Sequence, residues 1–269
     1  MPELPEVETV RIQLNRTLKG TRIASVEILK SGREFPVGKK FVDAILGRTI
    51  TSIDRRAKLL IWKFDDGSAM TAHLKMTGKF VFVQEGYEPM KHDRMVFHAG
   101  DHIVVWSDVR QFGFVKIVNA AELESIVSEY GPEPLVATEQ ELAEHLAKKS
   151  ARSIKATLLD QSIIAGIGNI YADESLHRAG IRPTRRTLSL TEAERLSLAL
   201  EIKKVLAESL AQKGTSANDY VDTQGEKGGF LGLLRVYGRK GEPCRNCNAP
   251  ITKIVLAQRG THYCAGCQE

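Results

Sequence analysis

Apolar residues recur at intervals of three and four near the start of the chain. Val7, Val10, Leu14 and Leu18 form one stripe, which predicts a helix over residues 5–18 that Gly20 would stop. The pattern then changes to short β-rich runs at 23–29, 59–64, 79–83, 95–98, 103–106 and 114–118. Turn signals such as Asp65-Asp66-Gly67 and Ala99-Gly100-Asp101 separate them. Strands at that spacing predict an antiparallel sandwich or barrel. Gly131-Pro132-Glu133-Pro134 interrupts any regular element and reads as a linker. Beyond it the period is helical over 139–148, 153–160, 169–179 and 191–212, and from Arg235 the tail returns to short strands around four cysteines. The expected class is α+β: an antiparallel β-rich domain with a flanking helix over 1–131, a helical domain over 132–234, and a small metal module over 235–269.

Composition narrows the class. At 269 residues, 42% hydrophobic and 26% charged, the chain is globular and long enough for a sizeable core. Its longest run without a charged residue is the twelve residues 161–172, short of the roughly 20 that span a bilayer, so no membrane partner is expected. Met1-Pro2-Glu3 opens without a cationic or apolar leader, and a cytoplasmic location is expected. The net charge of +5 is unevenly placed. Residues 1–150 carry 21 Lys/Arg and 21 Asp/Glu, whereas 151–269 carry 17 and 12. The excess lies in the C-terminal part, as suits a surface facing a polyanion, although a solvated face of mixed sign fits equally well.

Three segments carry candidate chemistry. Cys244-x2-Cys247 and Cys264-x2-Cys267, sixteen residues apart, supply two thiolate knuckles joined by a hairpin-length insert. That arrangement suits one tetrahedral zinc with no open position, hence a structural ion; two disulfides or free thiols are the alternatives. The insert carries Lys253 and Gln258-Arg259-Gly260-Thr261-His262, a polar tip suited to phosphate. Ala165-Gly166-Ile167-Gly168-Asn169 reads as a glycine turn between helices. Either it is a tight αα-turn, or its amides, with Lys155 and Asn169, cradle a phosphate at a helix N-terminus. Met1-Pro2-Glu3-Leu4-Pro5-Glu6 is the most unusual stretch. It is either an ordinary helix start or a reagent. Removal of methionine before proline leaves a secondary amine with a pKa near 8, a nucleophile able to form a cationic iminium, beside two carboxylates able to move protons.

Taken together, the chain resembles the bacterial formamidopyrimidine-DNA glycosylases of the Fpg/Nei family along its whole length. The matching motifs are Pro2-Glu3-Leu4-Pro5-Glu6-Val7-Glu8-Thr9-Val10, Arg55-Arg56-Ala57-Lys58, His73-Leu74-Lys75-Met76-Thr77-Gly78, Lys91-His92-Asp93 and Asp108-Val109-Arg110-Gln111-Phe112-Gly113. Gly131-Pro132-Glu133-Pro134-Leu135, the turn at 166–171 and the four-cysteine finger complete the set.

The resemblance implies a β-sandwich followed by a helix-two-turn-helix domain and a hairpin zinc finger with one structural zinc on Cys244, Cys247, Cys264 and Cys267. It implies a bifunctional glycosylase and abasic-site lyase of base-excision repair, acting as a monomer on damaged double-stranded DNA and associated with the nucleoid. Pro2 would be the nucleophile, Glu3 the proton donor to the sugar, Lys58 a proton-transfer group, Arg259 a phosphate grip, and Glu6 a positioner of sugar or water. Met76, Arg110 and Phe112 match a void-filling triad, and His73, His92, Arg152, Lys155, Gly168, Asn169 and Tyr237 match DNA contacts.

Four positions depart from the family pattern. Asn218 stands where the lesion-covering loop usually has arginine, Arg94 where a second histidine is common, Gln111 where lysine is frequent, and Leu231 where glutamine is usual. The preferred expectation is excision of oxidised or ring-opened purines. The same lyase chemistry directed at oxidised pyrimidines or abasic sites, and a non-catalytic binder of damaged DNA, are the competing readings.

Overall fold

The computed structural model describes residues 1–30, 38–148 and 151–269. The apolar stripe forms α1 (Leu4–Leu18), which buries Val7, Val10, Leu14 and Leu18, and Gly20 follows it at φ +84°. Among the described residues eight strands follow: β1 (Ile23–Ile28), β2 (Ile50–Arg56), β3 (Leu59–Phe64), β4 (Ala69–His73), β5 (Gly78–Val83), β6 (Asp93–Ala99), β7 (His102–Asp108) and β8 (Phe114–Val118). They make two antiparallel four-stranded sheets, ordered β1-β6-β7-β5 and β2-β3-β4-β8. The inner faces meet at an aromatic cluster, with Trp62 5.4 Å from Phe80 and 5.3 Å from Phe97. That is a sandwich, one of the two arrangements the strand spacing allows and the one the resemblance implies. Two short helices accompany the sheets, α2 (Lys39–Ile45) and α3 (Ala120–Ser128). Leu123, Ile126 and Val127 of α3 cover the outward-facing Leu59, Ile61, Ala69 and Val118.

The remaining elements are α4 (Glu139–Ala147), α5 (Ile154–Leu158), α6 (Asn169–Arg178) and α7 (Glu192–Ala211), then the hairpin β9 (Ile251–Leu256) and β10 (Arg259–Cys264). The chain divides into two compact units, Met1–Val127 with Gln212–Gly229, and Ser128–Ala211 with Phe230–Glu269. The sequence reading assigns 212–229 to the helical domain, but here it belongs with the sandwich. Its attachment is visible in bonds from Thr215 N to Glu6 Oε1 (2.7 Å) and from Phe82 N to the Thr223 carbonyl (2.9 Å). Among the described residues no helix is long and apolar enough to cross a membrane.

Candidate active site

In the sandwich unit, Pro2 and Glu3 lie buried at the start of α1. Glu3 is the N-cap, and its amide donates to Glu6 Oε2 at 2.7 Å, so the two glutamates close a capping box. The other Glu6 oxygen is taken by the Thr215 amide at 2.7 Å, while the Tyr220 hydroxyl donates to the Glu6 carbonyl. Glu6 therefore does two jobs: it stops the helix from fraying and pins the loop 212–229 over it. Gly214 sits at φ +91°, and a Cβ there would fall 2.8 Å from Glu6 Oε1. Burial, then the Glu6 charge, push the Tyr220 phenol well above its ordinary value.

Lys58 occupies the tight turn between β2 and β3, directly after Ala57 at φ +53°, and is 7% exposed. His73 ends β4. Its Nδ1 accepts the Lys75 amide at 2.9 Å, which leaves the proton on Nε2. Burial, reinforced by Lys75 and Lys58, pulls its pKa down to about 3, so it is a neutral donor at physiological pH.

Met76, Arg110 and Phe112 are exposed on two adjoining turns. The Arg110 guanidinium lies 5.2 Å from the Phe112 ring. Both turns hang on Asp108, whose Oδ1 accepts the Thr77 hydroxyl (2.5 Å) and the Arg110 amide (3.2 Å) and whose Oδ2 accepts the Gly113 amide (2.7 Å). Arg94, at the position where the family often has histidine, is 6% exposed and donates to the Asp108 carbonyl. Gln111 takes the left-handed position of its turn at φ +61°. His92 is half-buried, its carbonyl accepting the Asp108 amide.

In the second unit the glycine turn is closed from inside by Gln161, which accepts from the Gly166 amide and donates to the Ile167 carbonyl. Gly168 caps α6. Asn169 donates to the Gly260 carbonyl at 2.9 Å, and its own Oδ1 is buried without a partner. Lys155 departs from the role the resemblance implies. Its ammonium has no solvent exposure, is ion-paired with the equally buried Asp173, and lies 3.5 Å from the Gly260 carbonyl. It braces the hairpin instead of facing out toward a phosphate. Asp173 also takes the His262 amide at 2.8 Å.

Next to it, Glu174 accepts the amides of Arg235, Val236 and Tyr237 at 2.8–2.9 Å. Burial raises its pKa even though those amides favour the charged form. The Tyr237 ring packs 5.1 Å from His262. Arg259 is exposed beside the hairpin turn, where Ala257 and Gln258 are both left-handed, and Arg152 is exposed and paired with Asp160.

The four cysteine sulfurs lie within 4.8 Å of one another, with Cys247–Cys264 at 3.4 Å and Cys244–Cys267 at 3.8 Å. Zinc–sulfur bonds of about 2.3 Å place tetrahedral sulfurs about 3.8 Å apart, so this donor set fits one zinc. The Cys267 thiol is pushed up by its hydrogen bond to Cys247 and by burial, and a cation would reverse that penalty. His177 Nε2 lies 3.6 Å from Cys244 Sγ.

Sequence reasoning missed Glu8, Arg55, Asp108, Asp173 and Glu174. Among the described residues the left-handed ones other than glycine include Ala57 and Gln111, which lie in the turns that Arg55 and Asp108 hold; nothing comparable marks Glu8, Asp173 or Glu174.

Comparison with known proteins agrees along the whole chain. Residues 1–115 match the "Formamidopyrimidine-DNA glycosylase N-terminal domain", 130–220 the "Formamidopyrimidine-DNA glycosylase H2TH domain", and 241–269 the "Zinc finger found in FPG and IleRS". The formamidopyrimidine-DNA glycosylase of Desulfitobacterium hafniense is 42% identical over 273 residues, covering all of both chains. A mutant Lactococcus lactis enzyme solved with Fapy-dG-containing DNA is 36% identical, with TM-score 0.91 over all of both chains. The wild-type Lactococcus lactis enzyme solved with DNA containing an oxidised pyrimidine is 35% identical, with TM-score 0.90. The helix-capped Pro2-Glu3, the buried Lys58, the four-cysteine finger and these matches lead to one conclusion: this chain belongs to the formamidopyrimidine-DNA glycosylase family, the zinc-finger glycosylase/abasic-site lyases of base-excision repair.

Proposed function

We propose that this enzyme removes ring-opened and oxidised purines, formamidopyrimidine and 8-oxoguanine, using Pro2 as nucleophile and then nicking the strand. Its target carbon is inaccessible within stacked duplex, so the nucleotide must first be everted. Met76 and Arg110 fill the vacated space and Phe112 wedges the opposite step, offsetting an unstacking cost of a few kcal/mol. Cleavage of Met1 frees the Pro2 nitrogen, which bonds to C1′ as the glycosidic bond breaks. Glu3 protonates the ring oxygen as the sugar opens. The resulting iminium acidifies the C2′ proton, so the 3′-phosphate leaves by β-elimination and the 5′-phosphate by δ-elimination. Lys58 carries protons to base and sugar, Arg259 grips the adjacent phosphate, and Glu6 positions the sugar or a water while holding the covering loop. His73, His92, Arg152, Gly168, Asn169 and Tyr237 serve the DNA backbone, which fixes position without reading sequence. The enzyme acts as a monomer, nucleoid-associated through DNA. Zinc, when bound, supplies structure only.

The observation that carries this reading is the burial of Pro2 and Glu3 at a capped helix start whose second glutamate is locked to the covering loop. Borohydride trapping on abasic-site duplex tests it. Met1-processed, zinc-loaded protein is expected to crosslink, and Pro2→Gly to lose most of the product. Trapping by protein whose mass shows Met1 retained would overturn the nucleophile assignment.

One observation favours a second lesion preference. Asn218 replaces the usual arginine of the covering loop, and a relative 35% identical binds oxidised-pyrimidine DNA. Single-turnover excision from duplexes carrying each lesion separates the two.

A further inference from the structure

The proposed chemistry needs two groups held by different elements: Pro2-Glu3 at the start of α1, and Lys58 in the turn between β2 and β3. The Arg55 side chain links that helix to that turn. Arg55 of β2 donates from Nε to Glu8 Oε2 at 2.7 Å, and from Nη1 to the Ala57 carbonyl at 2.8 Å. Glu8 lies on α1 two residues after Glu6, and its other oxygen is held by Arg11 Nε (3.0 Å) and Nη2 (2.7 Å). Arg55 and Glu8 are 7% and 14% exposed, so the bridge is largely shielded from water and salt. The Ala57 carbonyl belongs to the peptide that joins Ala57 to Lys58, and Ala57 is left-handed at φ +53°. A strained residue keeps its conformation only where its surroundings impose it. Rotation of that peptide would re-aim the lysine.

We propose that Arg55, oriented by Glu8, is a positioning residue that sets Lys58 relative to the helix bearing Pro2 and Glu3. The inference rests on Lys58 being a working group of the lyase. Arginine suits the task because its planar fork serves two acceptors in fixed directions, whereas a lysine ammonium is a single flexible point. Glu8 fixes the fork from the helix side, so movement of α1 and movement of the turn are tied to one guanidinium.

The test uses full-length, zinc-loaded, Met1-processed enzyme and compares wild type with Arg55→Lys, Glu8→Gln and Lys58→Met. The measurements are the single-turnover nicking rate on an abasic-site duplex, Kd for a tetrahydrofuran-containing duplex, and Tm. Arg55→Lys is expected to slow nicking at least tenfold and Glu8→Gln three- to tenfold, with Kd within twofold of wild type. Glu8→Gln keeps the shape of the pair and guards against a variant that simply fails to fold. A lowered Tm with nicking within twofold overturns the inference, as does an equal loss of rate and binding, because both describe ordinary structural support. If Lys58→Met itself nicks at the wild-type rate, the assignment of Lys58 falls and takes the inference with it. That pattern is distinct from an essential Lys58 beside an indifferent Arg55.

Discussion

Asp108 accepts the hydroxyl of Thr77 at 2.5 Å, so one buried carboxylate joins the turn that carries Met76 to the turn that carries Arg110 and Phe112. Hydrogen bonds to a charged group contribute about 1.5–3 kcal/mol each, and Asp108 accepts three from those turns. Asp108→Asn replaces one acceptor oxygen with a donor that must face an amide or a hydroxyl. The expected outcome is a lower Tm and about tenfold weaker binding to a tetrahydrofuran duplex, with binding to undamaged duplex unchanged. 2-Aminopurine placed opposite the lesion reads the filling of the gap directly, and an unaltered fluorescence change would show that the two turns hold without this tie.

Gly214 and Gly225 make a matched pair, with φ +91° and +80° respectively. A methyl group at 214 meets the Glu6 carboxylate at 2.8 Å, whereas at 225 it meets nothing within 4 Å. Gly225→Ala therefore carries only left-handed strain, about 1–2 kcal/mol. Gly214→Ala must also displace the glutamate that caps α1. Excision in single turnover is expected to fall at least tenfold for the first-named site, 214, and to stay within twofold for 225.

What the sequence could reveal divides along physical lines. The α1 stripe and most core strands were legible because burial imposes a period. β4 was not, since Ala69, Met70, Ala72 and His73 around Thr71 carry little strand preference and are extended because β3 and β8 pair on either side. β2 was masked by charge at Asp54, Arg55 and Arg56 and by an irregular register near Ser52. The motif residues were visible through resemblance, but their supports were not. Glu8–Arg55 and Thr77–Asp108 span 47 and 31 residues, and no local pattern marks such pairs. Lys155 misled for a related reason: a lysine beside glycines suggests an exposed phosphate ligand, and only the fold shows it sealed against Asp173.

That sealed pair predicts a double-mutant cycle. Lys155→Met leaves the Asp173 carboxylate buried without its partner, which costs about 3–5 kcal/mol. Lys155→Met combined with Asp173→Asn removes both charges and keeps an acceptor for the His262 amide. Urea unfolding is expected to show the double variant recovering most of the loss. Additive destabilisation would mean the two side chains do not act as a pair.

Zinc removal should act locally. Metal binding supplies about 10–16 kcal/mol to isolated finger peptides, far more than the small core of Val236, Cys244, Ile251 and Cys264 can replace. Chelation is expected to release one zinc per chain, read with a chromogenic chelator, and to weaken damaged-DNA binding at least a hundredfold. The thermal transition of the sandwich unit should persist, because none of its residues ligates the ion.

His73 gives the pH dependence a sign. Its pKa falls from 6.5 to about 3 on folding, chiefly by burial, so the native chain holds it neutral while the unfolded chain protonates it below pH 6.5. The unfolded state then binds more protons, and stability declines as pH falls from 6.5 toward 3 and is level above 6.5. At pH 5 this one group accounts for about 2 kcal/mol. His73→Gln removes the titration, so the drop in unfolding free energy between pH 7.5 and pH 5 should be about 2 kcal/mol smaller than in wild type. Parallel pH curves for the two proteins would mean that His73 titrates normally in the fold, and its role as a neutral donor to phosphate would have to be abandoned.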